Sequence, residues 1–137
     1  MKISISVEVK ASLEVVWQAF NDPEDIIQWD SSEEWYTATA CNDLRVGGQL
    51  KLEIVNRQDQ TVMNFTATYT HVDEQKRIEW IDEEHRNVWV EFVQKGAVVQ
   101  MNQTFDADPD LPEQAQRIDW LSVLERFAHY VEKSKRF

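Results

Sequence analysis

From Trp35 to Phe105 apolar and polar residues alternate with a period of two, and from Glu113 onward the period becomes that of a helix. This switch constrains the fold more than any other feature of the chain. In the final segment, Glu113 to Lys135, the residues Trp120, Val123, Leu124, Phe127, Ala128 and Val131 share one broad apolar face. Ser122, Glu125, Arg126, His129, Glu132 and Lys133 fall opposite. Pro112 stands where a helix start needs no N–H, and Lys133, Lys135 and Arg136 crowd the last turn, where cations suit the helix dipole. So wide a stripe needs a broad partner, and the strands before it supply one.

Strand-like runs are Trp35 to Cys41, Gln49 to Val55, Val62 to Val72, Arg77 to Ile81, Val88 to Val93 and Ala97 to Phe105. Their separators are short and polar: Asn42-Asp43, Asn56 to Gln60, Asp73 to Lys76, Asp82 to Asn87 and Lys95-Gly96. Short separators favour an antiparallel meander. Ahead of it, Ile3, Ile5, Val7 and Val9 alternate as a strand, and Leu13, Val16, Trp17 and Phe20 recur at helical spacing, with Ser12 or Ala11 at the cap. Asp22 caps a second short helix, Pro23 suits its first position, and Glu24 and Asp25 favour its positive end; it runs to about Trp29. The expectation is a single α+β domain over residues 1–137. A curved antiparallel sheet of about seven strands has two short helices after the first strand and a long helix across its concave face.

A chain of 137 residues is long enough to bury a real core, typically roughly two thirds of its unfolded surface. The formal charge, 14 − 25 = −11, repels phosphates, which disfavours nucleic acid and anionic membrane as partners. The opening MKISISVEV has no continuous apolar run and reads as a strand, and no window approaches a membrane span, so the expected setting is the cytoplasm. Cys41 is the one cysteine; an internal disulfide is ruled out, and a small core residue is expected there rather than a nucleophile.

One strand face collects Phe65, Ala67, Tyr69, Ile78, Trp80, Val88, Val90, Phe92, Val99, Met101, Gln103 and Phe105, which places these toward the helix. Gln103 is an amide among apolar neighbours. A buried amide needs partners, and backbone or Tyr69 is expected ahead of a ligand. Arg117 falls on the apolar face one turn before Trp120, where an i, i+4 pair with Glu113 is expected ahead of a ligand carboxylate. Trp89 falls on the outer face as a lone exposed aromatic.

The run DADPD at Asp106 to Asp110 is a solvated turn, because Leu111 and Arg117 stand where a calcium loop needs Gly and Glu. Gly47-Gly48 makes a bulge or sharp turn rather than a phosphate cradle. His71, His85 and His129 are scattered, with no metal or triad spacing, so no catalytic residue, metal ligand or cofactor is expected.

Four stretches carry a family resemblance: ASLEVVWQAF at Ala11 to Phe20, DPEDIIQW at Asp22 to Trp29, DLRVGGQL at Asp43 to Leu50, and DWLSVLERFAHYVE at Asp119 to Glu132. Their order resembles the helix-grip fold of the START-like (SRPBCC, Bet v 1-like) superfamily, in the branch named for Activator of Hsp-90 ATPase homologues. Ser12 stands where that family often has Pro, and Asp30 where it often has a second Trp. The separate N-terminal domain of the eukaryotic co-chaperones is not expected in these 137 residues. The resemblance implies a hollow between sheet and last helix that binds a small hydrophobic or amphipathic molecule. The residues expected to line it are Phe65, Tyr69, Trp80, Val90, Phe92, Met101, Gln103, Arg117, Trp120 and Leu124.

Two other readings compete. A protein-interaction or co-chaperone module implies an exposed patch around Trp35 and Trp89, with an unidentified protein partner. A small-molecule enzyme implies titratable groups inside, and the inward set holds Tyr69 but no His, Asp or Glu.

Overall fold

The computed structural model describes residues 1–134; Lys135 and Arg136, expected in the last helical turn, lie outside the described residues. The elements are β1 Lys2–Val9, α1 Leu13–Asn21, α2 Pro23–Trp29, β2 Trp35–Asn42, β3 Gln49–Asn56, β4 Val62–Asp73, β5 Arg77–Asp82, β6 Asn87–Lys95, β7 Val98–Asp106 and α3 Glu113–Ser134. All strands join one seven-stranded antiparallel sheet in the order β1-β7-β6-β5-β4-β3-β2, curled into a half-barrel. The meander from β2 to β7 follows from its short polar turns, and only β1 reaches its neighbour over a long connection. Two register shifts, between Thr37 and Thr39 and between Tyr69 and His71, add the local twist that curls the sheet.

The two short helices start by local chemistry. Ser12 Oγ accepts from the Val15 N–H at 3.3 Å to open α1, and Asp22 Oδ1 accepts from the Glu24 N–H at 2.9 Å to open α2, with Pro23 at the first position. Asp22→Ala is expected to cost about 1 kcal/mol, read as a lower urea midpoint at unchanged slope; no change would show that α2 is held by packing alone.

α3 lies along edge strand β1, α2 against the opposite edge strand β2, and α1 against β6. Both ends of α3 are tied to the β1 side: Arg117 donates to the Ser4 carbonyl at 2.6 Å, and Glu132 accepts from the Lys10 N–H at 2.8 Å. A sheet edge open to foreign strands is thereby covered. Between the helices sits an aromatic cluster. Phe127 meets Phe20 at 5.3 Å and Trp29 at 4.9 Å, Phe20 stacks on Trp29 at 5.3 Å, and Trp17 meets Phe92 at 5.2 Å. Phe127, Leu124, Ala128 and Val131 are buried, while Trp120 and Val123 of the expected stripe are only partly covered.

Gly47 and Gly48 form the β2–β3 turn. Gly47 has φ 85°, and a Cβ on Gly48 would lie 2.1 Å from the Asp43 carbonyl oxygen, so only glycine fits there. Cys41 departs from expectation. It is exposed, not a core residue, because the shift after Thr37 leaves Ala40 and Asn42 inward and turns Cys41 out beside Lys51 and Thr66.

Candidate functional site

The inward set expected from the alternation does face the helices. Ala67, Tyr69, Ile78, Val88, Val90, Phe92, Val99, Met101 and Phe105 are buried, and cross-strand register aligns them: Phe105 with Val88, Val88 with Trp80, and Trp80 with Tyr69. The closest helix–sheet contacts fall on β1, β2 and β6, and β3, β4 and β5 make up the other part of the sheet. There Leu50, Ile54, Phe65 and Trp80 remain half-open although apolar and inward, as do Trp120 and Val123 on α3. These residues are partly buried and pack at the margin of the core.

Of the ten expected lining residues, Tyr69, Val90, Phe92, Met101, Gln103 and Leu124 are buried, and Phe65, Trp80 and Trp120 are half-open. Trp120 stacks on Phe105 with ring centroids 3.9 Å apart and planes 8° from parallel, and Trp80 stands edge-on to Tyr69 at 6.5 Å. Arg117 is the member that the fold removes from the group. Its guanidinium donates to Ser4 and pairs with Glu113 at 3.3 Å on the β1 side.

The two polar members of the expected inward set, Tyr69 and Gln103, differ. The Tyr69 hydroxyl donates to Asn42 Oδ1 at 2.7 Å, and Asn42 in turn donates to the Asn21 carbonyl at 2.8 Å. Burial raises the Tyr69 phenol well above its ordinary pKa, so it stays neutral. Tyr69 is therefore committed elsewhere, and the expected bond between Tyr69 and Gln103 is not made. Gln103 is 7% exposed, stands in register with Ile5 and Val90, and its amide bonds to no other described residue. The only fully enclosed side-chain nitrogen or oxygen without a hydrogen bond among the described residues is Arg86 Nε. The unpartnered Gln103 amide therefore keeps its small remaining access to solvent-sized space.

Arg86 escaped the reading of the sequence. It reaches from the β5–β6 turn to three carboxylates, Asp82 at 3.4 Å, Glu84 at 3.2 Å and Asp108 at 3.6 Å. Asp108 is fixed in turn by Gln116 of α3, whose side chain accepts from the Asp108 N–H at 2.8 Å. Arg86 thus joins the β5–β6 turn to the start of α3. Its i, i+4 spacing from Asp82 was visible, but a turn is not a helix and the spacing carried no weight. Asp30, half-buried at the end of α2, is a carboxyl whose perturbation has no signal in the sequence. It receives the Thr37 hydroxyl at 2.9 Å, and burial, opposed by that bond, raises its carboxyl to about 6.

Elsewhere, the groove between α2 and α3, about 490 Å³, is bordered by Gln28, Ser122, Arg126, His129 and Lys133 over Trp29 and Tyr130. A smaller concavity of about 380 Å³ lies over β2, β3 and β4, with Phe65 the one expected lining residue on it. Trp89 is not the bare aromatic expected: it is half-buried, with Lys2 at 5.1 Å and Arg77 at 5.4 Å from its ring. Trp35 is on β2, four strands away in the sheet, roughly 19 Å, so the two tryptophans form no common patch.

The family model for "Activator of Hsp90 ATPase homolog 1-like protein" matches residues 10–132. An AHSA1-like protein from Aeromonas hydrophila is 30% identical over 100% of this chain and 99% of its own, with a TM-score of 0.89. A protein from Cytophaga hutchinsonii is 28% identical over 99% of this chain and 97% of its own, with a TM-score of 0.84. One from Chromobacterium violaceum, 21% identical over 98% of this chain and 99% of its own, shares the fold at a TM-score of 0.85. No curated protein matches the chain. None of the described helices is long and apolar enough to cross a membrane.

Proposed function

Because the chain belongs to the Activator of Hsp90 ATPase homolog 1-like family, whose helix-grip fold suggests a ligand-binding or co-chaperone-like module, we propose that it binds a small hydrophobic or amphipathic molecule. The site is the cleft between β3–β5 and α3. Affinity comes from burying apolar ligand surface against Phe65, Trp80 and Trp120, worth about 25 cal/mol per Å², and orientation from Gln103. The observation that carries this reading is the Gln103 amide, 7% exposed and without a protein partner. The amide keeps a small access to solvent, so a ligand that bonds it replaces water and not a protein group. The co-chaperone alternative has less support, since its expected patch at Trp35 and Trp89 is split across the sheet.

A stability consequence is specific to this reading. Gln103→Leu keeps the size and removes the amide, so the free protein is expected to gain about 1–2 kcal/mol, seen as a higher Tm by calorimetry. A clear loss would mean that the amide is satisfied and the cleft filled. The direct test is native mass spectrometry of the purified full chain, with extraction of whatever co-purifies, beside a heat-stability screen against lipids and aromatic metabolites. A bound small molecule or a thermal shift supports the proposal; a clean apo mass together with a flat screen overturns it.

A further inference from the structure

We propose that the groove between α2 and α3 is a binding site for a small organic anion: a ring body over Trp29 and Tyr130, with its carboxylate or phosphate held by Arg126 and His129. The site is separate from the sheet interior and does not depend on what the interior holds. In the sequence, Ser122, Arg126, His129 and Lys133 recur at spacings of four, three and four, which stacks them along one side of a helix. The fold sets that side against α2, and all four border the groove together with Gln28 and Glu125. Its volume, about 490 Å³, falls in the range of roughly 300–1,000 Å³ usual for pockets that take small molecules.

The cations single this groove out. In a chain of charge −11 carboxylates are in excess, and the other described arginines are engaged. Arg45 pairs with Asp43, Arg77 with Glu79 and Glu91, Arg86 with three carboxylates and Arg117 with Glu113, while Arg57 donates to the Ser32 carbonyl and lies over the Tyr36 ring. Among the described residues Arg126 has no such partner, and neither has His129. No carboxylate stands three or four positions from Arg126 in either direction, so its own helix does not neutralise it. Lys133 adds a second positive charge to the rim and Glu125 removes one, a local surplus that His129 increases when protonated. A planar guanidinium with unused donors receives the oxygens of a carboxylate or phosphate in pairs.

The floor calls for the other half of the ligand. The Trp29 indole N–H is spent on the Ala19 carbonyl, and the Tyr130 hydroxyl donates to the buried Asp25. What these two leave for a ligand is ring surface, which suits an aromatic body. Unused donors stand only on the rim, so the charge of the ligand belongs at one end.

Three probes separate the parts: 2-naphthoate, 2-naphthamide and inorganic phosphate, titrated at neutral pH into the isotopically labelled full chain and followed by NMR. 2-Naphthoate is expected to bind, shifting the Arg126 Nε–H, the His129 ring and the Trp29 indole N–H signals, with 2-naphthamide and phosphate each about tenfold weaker. Arg126→Gln is expected to lose about tenfold in naphthoate affinity, whereas Arg45→Gln, which removes an exposed arginine already paired, leaves it unchanged. Equal binding of naphthoate and naphthamide, or naphthoate binding indifferent to Arg126→Gln, would overturn the anion site. Phosphate binding as tightly as naphthoate would overturn the ring seat. Shifts at the Trp80 and Trp120 indoles with His129 and Trp29 silent would overturn this site and support the ligand reading proposed above.

Discussion

Phe127→Ala is expected to destabilise the protein by about 3–5 kcal/mol, a large share of the ~5–15 kcal/mol that holds a domain of this kind together. The Phe127 side chain is fully buried, and it is the point where three helices meet. It stands edge-on to Phe20 of α1 at 5.3 Å and to Trp29 of α2 at 4.9 Å, while its own helix runs along β1. Truncation removes the transfer free energy of the ring and leaves a hole that Phe20 and Trp29 cannot close, since they stack on each other at 5.3 Å and Trp29 is pinned by its indole N–H to the Ala19 carbonyl at 2.9 Å. Urea unfolding followed by tryptophan fluorescence measures the loss. Ile118→Ala on the same helix is the control: Ile118 is 59% exposed, and its change is expected within about 0.5 kcal/mol. A loss below about 1.5 kcal/mol for Phe127→Ala would mean that α3 is held mainly by β1 and that the aromatic cluster is incidental.

Such a cluster is readable in outline from the chain, because each member obeys a local rule. Phe127 sits on the apolar stripe of α3, Phe20 on that of α1, and Phe92 on the inward face of β6, and the alternation from β2 to β7 fixes which strand residues face in. The caps at Ser12 and Asp22 are equally local, and so is the glycine turn at Gly47 and Gly48. Relations between distant parts of the chain were not legible. Arg117 has a plausible partner one helical turn away, and Glu113 does pair with it, but the Ser4 carbonyl is 113 positions distant in sequence. Cys41 is exposed because of one shifted residue between Thr37 and Thr39, and alternation alone cannot register a bulge. Gln103 was recognisable as an amide among apolar residues. That Tyr69 cannot be its partner follows from the strand order, which sets β4 three strands from β7, and the Tyr69 hydroxyl bonds to Asn42 on the far edge strand. Which strand residues face inward could therefore be read from periodicity, whereas the bonding of the polar ones required the assembled fold.

Asp30→Asn is expected to stabilise the protein by about 2–3 kcal/mol at pH 8 and to leave it unchanged at pH 4. Burial is the main cause of the raised Asp30 pKa, about 6 against 3.8 for the free side chain, and the Thr37 hydroxyl bond only partly offsets it. Between these two values the folded chain holds a proton that the unfolded chain has released, so stability falls as pH rises. The contribution of the neutral carboxyl is fully present below about pH 4, declines as pH climbs through about 6, and is absent above it, where folding must bury a charge. Asparagine never ionises, and its carbonyl oxygen can still accept from Thr37, so the variant escapes the cost without losing the 2.9 Å bond between α2 and β2. Comparing variant with parent by urea unfolding from pH 4 to 8 cancels the titration of the other carboxylates. A gain of equal size at every pH would assign the effect to packing rather than to the buried charge, and no gain at pH 8 would show that Asp30 reaches solvent in the native state. Asp30 ends α2, and the bridge between Ser31 and Tyr36 follows it directly, so the charge acts where α2 joins the sheet. Raising the pH is accordingly expected to loosen α2 from β2 before it disturbs the pairing of α3 with β1.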